Sequence, residues 1–234
     1  PKSIRSGGCR GDGAFPKRLF GEAAADVWIL GDSATRIKHQ GEYIFESLLP
    51  NELGRRIIAK LAAIAQDHVI IACTPTAAYI AETTNEADAQ KVRGSYRVVK
   101  TVADYQTITE DFVKLTIFDP KLRCFEHVQQ LGEFTNDAYI VASEAAWIDI
   151  TNQGVHKGTT VAHLQELLHV TPEETMVFGD GLNDLELMAA GTFSFAMSNA
   201  FEEVKAAAAF VTKSNDENGV LKTIERLLPL QMNQ

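Results

Sequence analysis

The feature that most constrains the fold is a short apolar run, Met176 to Phe178, that ends at Gly179 and is followed at once by Asp180. An apolar run bounded by glycine is typical of a strand buried in a parallel sheet. Open α/β sheets bind their ligands at the carboxyl ends of such strands. The residues from Asp184 to Ala190 have a helical pattern that stops at the next glycine. The sequence therefore predicts a strand, a polar turn and a helix, with a carboxylate at the strand tip.

The polar residues of this turn suit a hard cation. Asp180 and Asp184 contribute carboxylates, and Asn183 contributes an amide oxygen. Mg²⁺ usually takes one or two carboxylates together with waters and phosphate oxygens, so we expect Mg²⁺ and phosphate chemistry here. The simpler alternative is an ordinary turn in which these side chains only cap the helix and accept backbone hydrogen bonds.

The residues from Gly179 to Asp184 resemble a motif of a known family. Their sequence, Gly-Asp-Gly-Leu-Asn-Asp, is similar to the fourth motif of the haloacid dehalogenase (HAD) superfamily in its Cof-type form, Gly-Asp-x-x-Asn-Asp. Lys157, which precedes a helical pattern upstream, looks like the lysine of the family's third motif. The segments Phe193–Ala200 and Asn218–Val220 also resemble the family's pattern. A lysine before a helix is otherwise most often a solvated surface residue.

The resemblance implies a role for each of these polar residues. Asp180 would help to hold Mg²⁺, and Asp184 would orient the loop. Asn183 and Lys157 would contact the phosphate, with Lys157 providing the fixed positive charge that phosphoryl transfer requires. We take Lys157 and Asp184 as the catalytic residues of this chain, and we expect Lys157 to be exposed, with little packing around its side chain.

The beginning of the chain departs from the family. HAD phosphatases attack with the aspartate of an Asp-x-Asp-Gly-Thr motif, which forms an aspartyl-phosphate, and this sequence contains no such motif. The nearest string, Arg10–Phe15, has arginine at the nucleophile position, and no apolar strand precedes it because residues 3–9 are polar and glycine-rich. On a better alignment Gly31–Ala34 stand at the family's Glu-Asn-Gly-Ala loop, and Ser6 and Gly7 stand near its second motif, where a hydroxyl and an amide hold the phosphate. We therefore expect the nucleophile and the acid/base aspartate upstream of Pro1.

Composition narrows the remaining classes of function. The formal net charge of −9 argues against general binding to nucleic acid, which needs a basic surface. The three cysteines are widely spaced and form no Cys-x-x-Cys pair, which argues against a disulfide framework and a zinc site. The sequence has no signal-like start and no apolar run of membrane-spanning length. We expect a cytoplasmic protein that binds a small phosphorylated metabolite and no membrane; the oligomeric state is not indicated.

The middle of the chain predicts an insertion. From Glu46 to Thr151 helices and strands alternate in a pattern typical of an α+β layer, with helices on one face of a largely antiparallel sheet. This layer resembles the C2-type cap of Cof-type phosphatases, and lids of this kind exclude water and commit the substrate. An independent second domain is the alternative. We expect an α/β fold with a Rossmann-like HAD core of parallel sheet, residues 1–45 and 152–234, and an inserted C2-type cap, residues 46–151.

The insertion has eight predicted elements. They are helices at Pro50–Ala65, Asn85–Val92 and Pro120–Gly132, and strands at His68–Cys73, Ala77–Glu82, Val113–Phe118, Ala138–Ser143 and Ala146–Thr151. The last two strands form a predicted hairpin that carries Glu144, Trp147 and Asp149. A surface turn is the favoured interpretation of these three side chains, and contact with a substrate is the alternative.

Together these features predict a Mg²⁺-dependent Cof-type phosphatase that hydrolyses small phosphate monoesters, such as sugar phosphates or phosphorylated cofactors, through an aspartyl-phosphate. The rival from a different class is a catalytically inactive protein that binds a phosphorylated metabolite and has lost the nucleophile. A mutase or dehalogenase on the same core fits the cap and the fourth motif less well. An Asp-x-Asp-Gly-Thr motif encoded before Pro1 would indicate the enzyme, and its absence would favour the binding protein.

The 234-residue polypeptide as written should show almost no turnover of p-nitrophenyl phosphate with Mg²⁺. The reason is that no carboxylate stands at the nucleophile position, so the covalent route is closed and only binding and electrostatic groups remain. The measurement is release of nitrophenol together with a search for phosphorylated protein. A burst of product, or a phosphorylated protein, would contradict this prediction.

Overall fold

The computed structural model describes residues 4–7 and 21–231 of the chain. The chain divides into two compact units, Pro1–His156 and Lys157–Gln234. The described strands form three sheets, two in the first unit and one in the second. The partition into core and cap that the sequence suggests has different boundaries, and it stays a prediction.

The first sheet of the first unit has four described strands in the order β1-β2-β3-β4. They are β1 (Ile4–Gly7), β2 (Trp28–Gly31), β3 (Arg36–His39) and β4 (Glu42–Glu46). β1 and β2 are parallel, and the other pairs are antiparallel. No apolar strand is predicted before Arg10, and the strand that precedes it, β1, is defined by its pairing with β2 rather than by hydrophobicity. The string Arg10–Phe15 lies outside the described residues.

The second sheet of this unit has six strands in the order β7-β6-β5-β8-β10-β9. They are β5 (Val69–Cys73), β6 (Ala78–Ala81), β7 (Val99–Val102), β8 (Lys114–Phe118), β9 (Ala138–Glu144) and β10 (Trp147–Asn152). All pairs are antiparallel except β6 with β7. The five strands predicted for the insertion are confirmed with small shifts at their ends. The strand β7 of this sheet and the strand β3 of the first sheet were not predicted.

Three helices accompany this sheet in the described chain, α1 (Asn51–Ile64), α2 (Glu86–Ser95) and α3 (Cys124–His127). The first two predicted helices are confirmed, whereas the predicted helix Pro120–Gly132 is helical only from Cys124 onward. Its first residues form a turn, because the Asp119 carboxylate accepts hydrogen bonds from the backbone N–H groups of Lys121 and Arg123. Only the short α3 and a following 3₁₀ segment, Val128–Phe134, remain helical.

Helices cover both faces of the six-stranded sheet, which corrects the expectation of one covered face. Ile70 of β5 packs in one cluster with Ile57 and Leu61 of α1. Its neighbour Ile71 packs in another cluster with Val92 of α2. Because successive side chains of a strand point to opposite faces of the sheet, α1 and α2 lie on opposite sides of β5.

The second unit contains a parallel sheet in the order β11-β12-β13. Its strands are β11 (Met176–Gly179), β12 (Phe193–Met197) and β13 (Phe210–Thr212). Its helices are α4 (Lys157–Leu168), α5 (Leu185–Met188), α6 (Glu202–Ala207) and α7 (Gly219–Gln231). The alternation of parallel strands with helices confirms the predicted α/β fold class.

Two further observations bear on the classes of function. None of the described helices is both long and apolar enough to cross a membrane. Cys73 and Cys124 are free and buried, and Cys9 lies outside the described residues. Burial raises the pKa of the Cys124 thiol to about 12, so this thiol stays protonated at neutral pH and is a poor nucleophile.

A buried ion pair joins two strands of the six-stranded sheet. Lys114 Nζ of β8 donates a hydrogen bond to Asp149 Oδ1 of β10 at 2.9 Å, and the two side chains are 6% and 13% exposed. Lys114 Nζ also donates to Ser33 Oγ at 3.0 Å, and Thr116 Oγ1 donates to Asp149 Oδ1 at 3.2 Å. Burial acts to raise the pKa of Asp149, but Lys114 and the hydrogen bonds outweigh it and hold the pKa below its usual value. Asp149 is therefore a buried residue of the sheet, which corrects the expectation of a surface turn.

Replacing this buried lysine should destabilise the protein strongly. Lys114→Ala leaves the Asp149 carboxylate buried without its counterion, and we expect the free energy of unfolding to fall by about 3–5 kcal/mol. Lys60→Ala is the matched control, because Lys60 pairs with Glu133 at the surface, where an ion pair contributes roughly 0–1 kcal/mol. Urea denaturation measures both values, and equal losses in the two variants would contradict the prediction.

The same pair predicts a pH dependence. The folded pKa of Asp149 is depressed, so its contribution to stability is fully present above the unfolded pKa and is lost as the pH falls through the folded pKa. Urea denaturation at a series of acidic pH values measures this loss, and Asp149→Asn should reduce the slope of stability against pH in that range.

Candidate active site

The Asp184 carboxylate organises the turn at the tip of β11. Asp184 Oδ2 accepts hydrogen bonds from the backbone N–H groups of Asp180 at 2.9 Å and Gly181 at 3.1 Å. The side chain folds back over Gly179, where an added Cβ would lie 2.5 Å from the Asp184 Cβ. Glycine at position 179 is therefore a steric requirement of this turn. The predicted helix begins one residue later than expected, at Leu185, after a 3₁₀ turn.

Lys157 is the first residue of α4, and its side chain reaches the same carboxylate. Lys157 Nζ donates to Asp184 Oδ1 at 2.5 Å, and the two side chains are only 14% and 6% exposed. The expectation of an exposed lysine with little packing is therefore wrong. The approach of α4 to α5 explains the burial, because a Cβ at Gly158 would lie 2.5 Å from the Glu186 carbonyl oxygen. The small residue at position 158 lets the start of α4 come close to the turn.

Asp180 is fixed at its backbone but keeps one carboxylate oxygen available. Its carbonyl oxygen accepts a hydrogen bond from the N–H of Phe201 at 3.3 Å, and its N–H donates to Asp184. Its side-chain Oδ2 accepts a hydrogen bond from Asn215 Nδ2 at 2.6 Å. Among residues 4–7 and 21–231, none donates to its Oδ1. One oxygen of Asp180 is thus held by the protein, and the other can bind a ligand.

The remaining predicted residues are less constrained by the described contacts. Asn183 is half-buried in the 3₁₀ turn, and its side chain makes no hydrogen bond to the described part of the chain. Ser6 and Gly7 are the last residues of β1, opposite Leu30 and Gly31 of the parallel strand β2. They belong to the first unit, whereas Lys157, Asn183 and the two aspartates belong to the second. The structure thus joins Lys157, Asp180 and Asp184 by direct hydrogen bonds.

The donor set of the second unit fits Mg²⁺ rather than a metal that prefers a full protein cage. Within the described ranges, no cluster of three or more histidine, cysteine, aspartate or glutamate side chains could hold a metal. Asp180 Oδ1 is a single carboxylate oxygen, with the polar side chain of Asn183 two residues beyond Gly181 in the same turn. Mg²⁺ commonly binds through one or two carboxylates and keeps several waters.

Sequence reasoning missed Asn199 and Asn215. Asn215 donates to Asp180, and Asn199 Oδ1 accepts a hydrogen bond from the backbone N–H of Asn215 at 3.0 Å. The signal was present, because Asn199 follows β12 and Asn215 follows β13. The carboxyl ends of parallel strands meet at one edge of the sheet, so polar residues after all three strands were candidates for the same site.

Comparison with known proteins gives a consistent result. Residues 34–224 match the family of haloacid dehalogenase-like hydrolases. The chain is 29% identical over 214 residues to the Escherichia coli (strain K12) protein 5-amino-6-(5-phospho-D-ribitylamino)uracil phosphatase YbjI, a match that covers 90% of this chain and 78% of that protein. It is 37% identical over 103 residues to the Bacillus subtilis (strain 168) phosphatase of the same description, YwtE, covering 44% of this chain and 34% of that protein. The crystal structure of SMU.1108c from Streptococcus mutans UA159 superposes with a TM-score of 0.84 at 26% identity, covering 91% of this chain and 81% of that one.

The burial of Lys157 predicts a cost in stability. Lys157→Ala leaves Asp184 buried without its cation, and the expected loss is about 3–5 kcal/mol in the free energy of unfolding, towards the lower value because two backbone donors remain. The double variant Lys157→Met, Asp184→Asn removes both charges and should recover part of the loss. Urea denaturation gives the values.

Lys205→Ala is the control for this comparison. Lys205 also pairs with an acidic residue of its own unit, Glu202, but that partner is 87% exposed, so the expected loss is below about 1 kcal/mol. If Lys157→Ala lost no more than Lys205→Ala, Lys157 would behave as an ordinary surface lysine.

Proposed function

Because the chain belongs to the family of haloacid dehalogenase-like hydrolases, we propose that it is a Mg²⁺-dependent phosphatase for small phosphate monoesters. The observation that carries this proposal is the joining of Lys157 and the Asp180 loop by one buried carboxylate, Asp184. A fixed positive charge is thus held on the carboxylate that organises the Asp180 loop, and one oxygen of Asp180 accepts no hydrogen bond from the described residues. Fixed charges of this kind stabilise a phosphoryl group during transfer.

Each side chain has a proposed part in the reaction. Asp180 would hold Mg²⁺, which when bound neutralises the charge of the phosphate oxygens. Lys157 and Asn183 would contact the phosphate, and Asp184 would position both Lys157 and the loop. The hydrogen bond to the buried Asp184 carboxylate holds the Lys157 ammonium in place, so its charge needs no reorganisation when substrate binds.

In the first unit, Ser6 and Gly7 at the end of β1 would provide a hydroxyl and an amide that contact a phosphate. This proposal rests on their position at the carboxyl end of a strand in a parallel pair. The six-stranded layer would act as the C2-type cap and select the substrate. The core would consist of residues 1–45 and 152–234, and the cap would consist of residues 46–151.

The names of two relatives suggest a substrate class. Both are described as phosphatases of 5-amino-6-(5-phospho-D-ribitylamino)uracil, a compound that carries a phosphorylated sugar alcohol on a pyrimidine. We propose that this chain acts on a phosphorylated sugar or sugar alcohol of this kind. The alternative is a protein that binds such a metabolite without hydrolysing it, and an Asp-x-Asp-Gly-Thr motif encoded before Pro1 would decide against this alternative.

Phosphate release from a panel of sugar phosphates and 5-amino-6-(5-phospho-D-ribitylamino)uracil tests the proposal. The assay uses the protein as its gene encodes it, with any residues that precede Pro1. Asp180→Asn should abolish Mg²⁺-dependent hydrolysis, and Lys157→Ala should lower kcat/KM by about 10²–10³. Lys157→Arg should restore only part of the rate, since a planar guanidinium places its charge differently from an ammonium.

The exposed Lys222→Ala is the matched control and should keep the parental rate. All variants are assayed at a temperature at which circular dichroism shows them folded, since Lys157→Ala is expected to be destabilised. Binding of the compounds without phosphate release would establish the inactive alternative. Hydrolysis that survives Asp180→Asn at the same Mg²⁺ concentration would refute the metal assignment.

A further inference from the structure

Asn215 occupies one of the two oxygens of the proposed metal ligand. Its amide Nδ2 donates to Asp180 Oδ2 at 2.6 Å, a short distance for a hydrogen bond to a carboxylate. Among the residues that the structure describes, the other oxygen, Oδ1, accepts none. The Asp180 backbone is held on both sides, by Asp184 and by Phe201. The carboxylate is therefore fixed in direction, with a single oxygen left for a cation.

We propose that Asn215 sets the metal selectivity of this site by restricting Asp180 to monodentate coordination, which favours Mg²⁺ over Ca²⁺. The inference rests on the metal role proposed above for Asp180. Mg²⁺ is small and demands near-octahedral geometry from single oxygens, whereas Ca²⁺ accepts carboxylates that bind through both oxygens in a flexible shell. A hydrogen bond that blocks one oxygen of Asp180 removes the bidentate mode and leaves the monodentate one intact.

The surroundings of Asn215 hold the amide in place although the residue is exposed. Its backbone N–H donates to Asn199 Oδ1 at 3.0 Å, which ties the loop after β13 to the loop after β12. Its backbone carbonyl accepts from the N–H of Asn218 at 3.1 Å, and the N–H of Gly219 closes the same turn on Ser214. This turn leads directly into α7, so a long helix anchors the loop. The Asn215 amide is thus presented to Asp180 by a preformed turn.

Asn215 is also placed to hydrogen-bond a metal ligand without binding the metal itself. Ligating carboxylates are commonly hydrogen-bonded by a second residue, and removal of that residue typically lowers metal affinity by about 10–100-fold. Asn215 carries no charge, so its removal leaves the electrostatic attraction for a cation unchanged. Any change in the ratio of the two affinities therefore reports the coordination mode rather than the net charge of the site.

The test is a titration with MgCl₂ and with CaCl₂, in separate samples, followed by the amide chemical shifts of Asp180 and Gly181 in ¹⁵N-labelled protein. This readout reaches millimolar affinities and does not require turnover. Asn215→Ala should weaken Mg²⁺ binding by about tenfold or more, with a smaller loss for Ca²⁺, so that the preference for Mg²⁺ falls. Asp216→Asn is the matched control in the same exposed turn, and it should leave the ratio of the two affinities unchanged because Asp180 keeps its partner.

The outcomes separate this inference from the proposed function. If the parent protein binds Mg²⁺, Asp180→Asn abolishes binding and Asn215→Ala lowers the Mg²⁺ preference at an unchanged melting temperature, the inference holds. If Asn215→Ala leaves the ratio unchanged, or weakens both cations equally, Asn215 is only a structural residue and the inference fails alone. If the parent binds neither cation, or if Asp180→Asn binds as the parent does, the metal role of Asp180 fails, and the inference fails with it.

Discussion

The second unit depends on one buried carboxylate, that of Asp184. One of its oxygens accepts a hydrogen bond from the ammonium of Lys157. The other accepts hydrogen bonds from two backbone N–H groups of the turn at the strand tip. A buried carboxylate is costly unless it is paired and hydrogen-bonded, and here three donors meet that requirement. The same three contacts join the start of α4 to the end of β11. Satisfying the buried charge therefore fixes the relative position of a cation and a loop, which is the arrangement that a phosphate site needs.

Asp180 and Asp184 lie in one loop but differ in their capacity to bind a ligand, because their surroundings differ. Asp184 is buried and its oxygens are taken by protein donors, so it has little capacity left for a ligand. Asp180 lies at the strand tip, where one carboxylate oxygen accepts a hydrogen bond from Asn215 and the other accepts none from the described residues. A hard cation needs an oxygen that is accessible and yet directed, and only Asp180 meets both conditions. The local hydrogen bonds, more than the residue type, decide which carboxylate orients the loop and which one is left to bind a cation.

Much of the fold can be predicted from the sequence, because buried strands and amphipathic helices have a characteristic spacing of apolar residues. The strand Met176–Gly179, its polar turn and the antiparallel layer around Val69–Cys73 were predictable for this reason. The strand β7 was missed because none of its side chains is fully buried, so that pairing with its neighbour defines it. The strand β3 was missed because Ile37 is its single apolar residue, although that side chain is fully buried. The predicted helix Pro120–Gly132 begins later than expected for a different reason, since the Asp119 carboxylate accepts hydrogen bonds from the backbone N–H groups of Lys121 and Arg123.

The site residues divide in the same way. Asp180 and Asp184 were identified from the strand-turn-helix pattern that contains them, and Lys157 was identified from its resemblance to the third motif of the family. The burial of Lys157 could not be predicted, because it depends on how closely α4 approaches α5, a contact between elements distant in sequence. Asn215 lies further along the chain, and only the parallel order of the three strands brings it to Asp180.

The first unit also has a buried lysine–aspartate pair, Lys114 and Asp149, so a buried pair of this kind occurs in both units. In the loop after β2, Asp32, Ser33 and Ala34 all have positive φ, at 56°, 59° and 73°, a conformation that costs non-glycine residues roughly 1–2 kcal/mol each. The Ser33 hydroxyl accepts a hydrogen bond from Lys114, which Asp149 holds in the sheet. A contact from a distant strand thus offsets strain that glycine would avoid. In each unit a buried lysine held by an aspartate fixes the turn that follows a strand of a parallel pair, and these turns are where such sheets place their ligands.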